Sequence, residues 1–146
     1  MIRDPTIKQQ VQEEWDGVRS FQSMLQARLN APGGLAGIGA SHGLRNISHC
    51  LVLLFAFSIL EKVLKQLRDE GVFRQQDNRL GKLMYSSKRS IPWRNFPLVD
   101  KAREDRNRVA HQQEILERAD SWKYIDGIEA ELLSWKVIVN PKSFKH

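Results

Sequence analysis

The chain contains a single cysteine, Cys50, in 146 residues. An intramolecular disulfide is therefore excluded, and so is any CxxC-type metal site. Long apolar runs are just as scarce. The longest extends from Cys50 to Leu60, broken only by Ser58, and falls short of the roughly 20 residues that cross a bilayer. The first residues, MIRDPTIKQQVQEEW, are polar and hold no apolar stretch of the kind a secretory signal needs. A soluble cytoplasmic protein, with no membrane partner, is the reading these absences favour. No alternating strand pattern precedes the brief Val137-Ile138-Val139 run, and no segment repeats. Helices are left as the material of the fold.

The hydrophobic content, 41%, is that of an ordinary globular chain. The length suits one domain over residues 1–146, able to bury roughly two-thirds of its unfolded surface. Net charge is +6, and it is unevenly spread. Arg74, Arg79, Lys82, Lys88, Arg89, Arg94, Lys101, Arg103, Arg106 and Arg108 face only Asp77, Asp100, Glu104 and Asp105 within the same stretch. Ten cations against four acids leave six, which is the excess of the whole chain. Such a basic segment on an otherwise balanced domain suits a polyanion such as nucleic acid. A solvated, merely soluble surface is the alternative.

Ile7, Val11, Trp15, Val18, Gln22, Leu25 and Leu29 recur at helical spacing, with only Gln22 polar. Asp4 before Pro5 has the form of an N-cap followed by proline at the first helical position. The helix should stop at Asn30, before Ala-Pro-Gly-Gly. Residues 31–43 hold five of the nine glycines. They read as a connector, since no strand precedes them and no Gly-Lys-Ser/Thr follows to make a phosphate-binding loop.

A second long helix is predicted from Leu44 to Asp69. Its first half is apolar almost all round, which places it at the centre of the domain or against a partner chain. Gly71 serves as its stop. A short helix over about 78–87 would turn Leu80, Leu83 and Met84 inwards. The two prolines of SIPWRNFP then break regular structure, with Trp93 and Phe96 clamping the loop to the core. A third substantial helix is expected from near Leu98. The last runs from about Glu117 to Val137, with Trp122, Ile125, Ile128, Leu132, Leu133 and Trp135 on its buried side and Asn140-Pro141 ending it. The predicted fold class is all-α: a bundle of four principal helices plus a short extra one.

One motif carries chemistry. Arg106-Asn107-Arg108-Val109-Ala110-His111 is Arg-x4-His, with Asn directly after the arginine and Val-Ala directly before the histidine. On the penultimate helix of a bundle, this resembles the signature of the HEPN superfamily of ribonucleases. The resemblance covers the helical order of most of the chain, with six residues matching in detail. It implies a metal-independent endoribonuclease with no cofactor, acting on RNA through Arg106, Asn107 and His111. It further implies a homodimer whose two motifs line one composite cleft, a role as toxin or defence effector, and an inhibitory antitoxin or regulatory partner. Some HEPN toxins silenced by a nucleotidyltransferase carry tyrosine two residues after the histidine; position 113 here is Gln, which removes that target.

The residue types suit the chemistry. RNA brings its own nucleophile, the 2′-hydroxyl, so cleavage needs proton transfer and charge stabilisation. Histidine, with an unperturbed pKa of about 6.5, serves as acid or base near neutrality. Arginine's planar fork can clamp the scissile phosphate. Asn107 and His111, four apart, share a helix face, whereas Arg106 and His111 differ by about 140° on an ideal helix.

The alternatives are structural. Arg103, Arg106 and Arg108 among Asp100, Glu104 and Asp105 could be a face laced with ion pairs, and His111 could answer the helix dipole. A non-catalytic HEPN-like module for binding nucleotide or RNA, or for assembly, fits the same features. Lys88, Arg89, Arg94 and Arg103 are the candidates for RNA-backbone contact, and Tyr85 and Trp93 for base stacking. Trp93 in the core is the simpler assignment. Glu61 lies where HEPN-like second helices often carry an acid; as an amphipathic-turn residue it would be exposed instead. His42 and His49 could face one way, without further ligands nearby for a metal.

Overall fold

A computed structural model of the chain describes residues 1–30, 42–112 and 116–139, with side chains placed at all of these except 29, 30, 42–47 and 112. The glycine-rich segment up to residue 41, Gln113 and the Asn140-Pro141 pair lie outside the described residues, as does the side chain of His42. Five helices are present: α1 (Pro5–Asn30), α2 (His42–Asp69), α3 (Leu80–Ser87), α4 (Phe96–Gln112) and α5 (Arg118–Ser134). No strand occurs among the described residues; Val137 and Ile138 are instead buried in the core. The chain is all-α, as its patterning predicts.

Helix α2 packs against each of the other four, which is why it needs apolar residues on so many sides. Val52, Leu53, Phe57, Leu60, Val63, Leu64 and Leu67 are buried around it. The stripe on α1 also faces inwards, and Gln22 in it is fully buried. Its side-chain oxygen accepts from Arg19 at 2.7 Å. Arg19 is buried too, and bridges to Asp126 and Glu129 of α5 at 2.8 and 2.6 Å. Trp15 donates its indole N–H to the same Glu129. A charged cluster thus joins α1 to α5, and two partners on one guanidinium offset much of what its burial costs.

Helix boundaries follow local chemistry. Asp4 caps α1, its carboxylate accepting from the N–H groups of Thr6 and Ile7. Gly71 ends α2 with φ of 84°. The N–H of Val72 bonds back to Leu67 and that of Gly71 to Arg68, the pairing of a Schellman turn. Some boundaries differ from those expected: α2 begins at His42, not Leu44, and α3 at Leu80, not about 78. Helix α4 begins at Phe96, not Leu98, because the side chain of Asn95 accepts from the N–H of Leu98 and so caps it. Helix α5 stops at Ser134, before Asn140-Pro141 is reached. There Lys136 takes a positive φ of 58°, and the N–H groups of Val137 and Lys136 bond to Leu132 and Leu133 in a second Schellman turn. Val137 and Leu132 are buried together by it, while Leu133, expected inside, is turned outwards.

The loop before α4 is fixed from two sides. Trp93 stacks edge-on against Phe96 and Trp135, with ring centres 5.1 and 4.7 Å apart. The carboxylate of Glu131, buried on α5, accepts from the N–H groups of Arg94 and Asn95. Burial raises the Glu131 carboxyl above its usual pKa, and those donors work against the rise. The loop therefore delivers α4 in a defined register against α2 and α3.

Candidate functional site

Three helices meet around an open cleft of about 590 Å³. Helix α4 lines it with Arg103, Arg106, Asn107 and His111. Helix α3 contributes Leu80, Gly81, Lys82 and Tyr85, preceded by Arg79, and α2 contributes Glu61. All three motif residues open onto this one space. The roughly 140° between Arg106 and His111 is bridged by Arg103 and Asn107, which lie between them on the cleft side of α4.

Arg106 is set differently from its neighbours. Arg103 is held by Asp100 at 2.9 Å, and Arg108 by the buried Asp105, which also accepts from Tyr124 of α5. The ion-paired helix face is therefore real for those two arginines. Arg106 forms no ion pair with a described residue. Its guanidinium stands 5.3 Å from the centre of the Phe57 ring, and its buried Nε has no hydrogen-bond partner. Burial holds this guanidinium below the usual arginine pKa; Glu61 acts in the opposite direction, and Arg103 adds to the lowering. A half-buried cation with spare donors is a site that gains from an arriving anion.

Glu61 is half-buried and lines the cleft, not free on an outer turn, and it also pairs with Lys65 at 3.2 Å. His111 is exposed. None of the described side chains hydrogen-bonds to it, and Asn107 lies one turn behind it on α4.

Of the candidate RNA contacts, Arg103 is brought to the cleft. Its guanidinium lies over Gly81, where an added Cβ would stand 3.2 Å from Nη1. The absence of a side chain at 81 lets α3 approach Arg103 this closely. Lys88, Arg89 and Arg94 are exposed and do not line the cleft. Lys88 stands at the C-terminal end of α3 with its ammonium 4.6 Å from the centre of the Phe96 ring and 5.8 Å from that of Tyr85. Tyr85 lines the cleft and Trp93 is in the aromatic stack, donating to Ser87.

Arg79, Lys82 and Gly81 were not singled out by sequence. The signal was available: with Leu80, Leu83 and Met84 inward, Lys82 and Tyr85 must point the other way. Arg79 is already engaged by Asp77, whose carboxyl it holds at about 2. The Nε2 of His49 meets the carbonyl of Leu116, and no group of three or more metal-ligating side chains occurs among the described residues. No described helix is long and apolar enough to cross a membrane.

Comparison with protein-family models, with curated proteins and with solved structures finds no match for this chain.

Proposed function

We propose that the chain is a HEPN-type, metal-independent endoribonuclease. The observation that carries this reading is the convergence of Arg106, Asn107 and His111 on one open cleft, with Arg106 half-buried and without a carboxylate partner among the described residues. In the proposed reaction the 2′-hydroxyl loses its proton and attacks the adjacent phosphorus. The bond from phosphorus to the 5′-oxygen breaks, and that oxygen takes up a proton. His111 moves protons, and Arg106 stabilises the charge that gathers on the phosphoryl oxygens. Asn107 orients His111 or bonds the phosphate. The products are a 2′,3′-cyclic phosphate and a 5′-hydroxyl. Arg103 contacts the backbone within the cleft, and Lys88, Arg89 and Arg94 extend that contact past Tyr85.

By analogy with the family, the working form is a homodimer with a composite site, the role is that of a toxin or defence effector in the cytoplasm, and an inhibitory partner restrains it. The test is end-group analysis. RNA cut by the protein should carry cyclic phosphate, and a strand with one 2′-deoxy nucleotide should resist cutting there. Cutting at the deoxy position rejects the mechanism.

A second reading, a non-catalytic module that binds nucleotide or RNA, is favoured by one feature: no described side chain hydrogen-bonds to His111. A catalytic histidine is commonly fixed by a neighbour. That reading predicts RNA binding that depends on Arg106, with no cleavage that depends on His111.

A further inference from the structure

The α3 side of the cleft carries groups that the cleavage step leaves unused. Tyr85 is 52% exposed, although it is pinned at two points. Its hydroxyl donates to Asp100 at 2.8 Å, and its ring meets Phe96 edge-on with centres 5.3 Å apart. Phe96 is in turn packed edge-on against Trp93, which itself meets Trp135. An exposed aromatic ring held this firmly loses little freedom when something stacks on it. One helical turn back stands Lys82, exposed and without an ion-pair partner among the described residues, although Asp77 feels its charge. The cleft volume of about 590 Å³ lies in the range of roughly 300–1,000 Å³ that takes an organic ligand. It has room for a base and sugar beside the phosphate at Arg106.

From this arrangement we infer that Tyr85 is a nucleobase platform and that Lys82 takes a neighbouring phosphate, so that the cleft accepts unpaired RNA and not duplex. The inference rests on the ribonuclease reading of the cleft and adds the substrate class. The base of a nucleotide next to the scissile phosphate lies on the Tyr85 ring, while Lys82 and Arg103 hold the backbone on either side. A paired base is already stacked on its own neighbours and cannot reach such a platform; unpaired bases can be splayed onto it. Stacking tolerates any base, because every base has a π-face. Discrimination would then be by strandedness more than by sequence.

The test uses a fluorescent 2′-fluoro strand of about ten nucleotides, within the footprint of single-strand binders; it lacks the nucleophile and cannot be cut. Anisotropy is read with the whole chain as wild type, Tyr85→Phe, Tyr85→Ala and Lys82→Ala. Tyr85→Ala should weaken binding about tenfold, the effect of losing one stacked base, and Tyr85→Phe, which keeps the ring and its Phe96 contact but loses the bond to Asp100, should lose much less than Tyr85→Ala. On the same strand made abasic, Tyr85→Ala should bind like wild type. Lys82→Ala should weaken both strands equally and lower the salt slope by about one. The duplex should bind more weakly than the single strand.

Unchanged affinity in Tyr85→Ala, an equal loss on the abasic strand, or a duplex bound as tightly as the single strand would each overturn the inference. So would a wild type that fails to bind the strand. The predicted pattern together with no cutting of unmodified RNA would leave the nucleobase platform standing and remove the ribonuclease reading.

Discussion

At the scale of single residues, the cleft is defined by a contrast among arginines. Arg103 and Arg108 have carboxylate partners one turn away, whereas Arg106 rests on the Phe57 ring with an unsatisfied Nε. Its fork geometry is what a phosphate requires, and a lysine there would bring one charge without two parallel donors. Arg106→Lys should therefore cut RNA at least about tenfold more slowly while folding normally, since even one lost transition-state donor costs roughly a hundredfold elsewhere. Cleavage at the wild-type rate in that variant, measured under single-turnover conditions, would show that a point charge suffices.

A second residue gives a stability test. Burial lowers the pKa of His49; the Leu116 carbonyl opposes this and Arg118 adds to it. The folded value thus lies below the unfolded one of about 6.5. As pH falls, the unfolded chain takes up the proton first. The stability tied to neutral His49 is therefore complete above about 6.5 and is lost as pH falls from there through the folded value. The urea midpoint of the wild type should drop more between about pH 7.5 and about pH 5.5, either side of that value, than the midpoint of His49→Gln. Equal drops would mean that His49 titrates alike in both states.

At the scale of elements, helix ends and close approaches decide where the site residues stand. Gly81→Ala should place its methyl against the Arg103 guanidinium and weaken RNA binding several-fold. Its melting temperature should be no lower than that of the wild type, because alanine is the better helix former by up to about 1 kcal/mol. Unchanged RNA affinity would show that the position of Arg103 is immaterial. The two Schellman turns make a matched pair, one with glycine and one with lysine in the left-handed region. Lys136→Gly should raise stability by up to about 1 kcal/mol, and Gly71→Ala should lower it by about as much, both read from urea unfolding.

The contrast between these turns also explains what was legible in the sequence. Gly71 announces its stop because glycine is the residue that turn favours. Lys136 gives no such sign: its turn is imposed by burial of Val137 and Ile138, a tertiary effect. The stripes of α1 and α2 were legible because a buried face must repeat at the helical period. The start of α4 lies two residues before the apolar Leu98 that marks it in the sequence, because Asn95 caps the helix and Glu131, 36 positions on, holds the Asn95 backbone.

At the scale of the molecule, α2 as the hub brings Glu61 under α4 and seats α3 alongside, so that three separate segments share one cleft. The motif itself is readable from adjacent letters, the resemblance points to Glu61, and helical spacing turns Lys82 outwards. Gly81 is different: it joins the cleft through close packing against Arg103 that no local spacing encodes. The packing of the helices leaves Phe55 58% exposed on α2, with Leu51, Phe21 and Met24 also open. These residues lie away from the cleft, and nothing in the described residues covers them.

The most direct test of the central claim is cleavage of total cellular RNA in excess chelator by the wild type, Arg106→Ala and His111→Ala. The account predicts that the wild type cuts, that each variant loses at least about a hundredfold in rate, and that all three keep the same helical content. Equal cutting by all three proteins would contradict it, because the activity would then belong to some site other than the Arg106–His111 cleft.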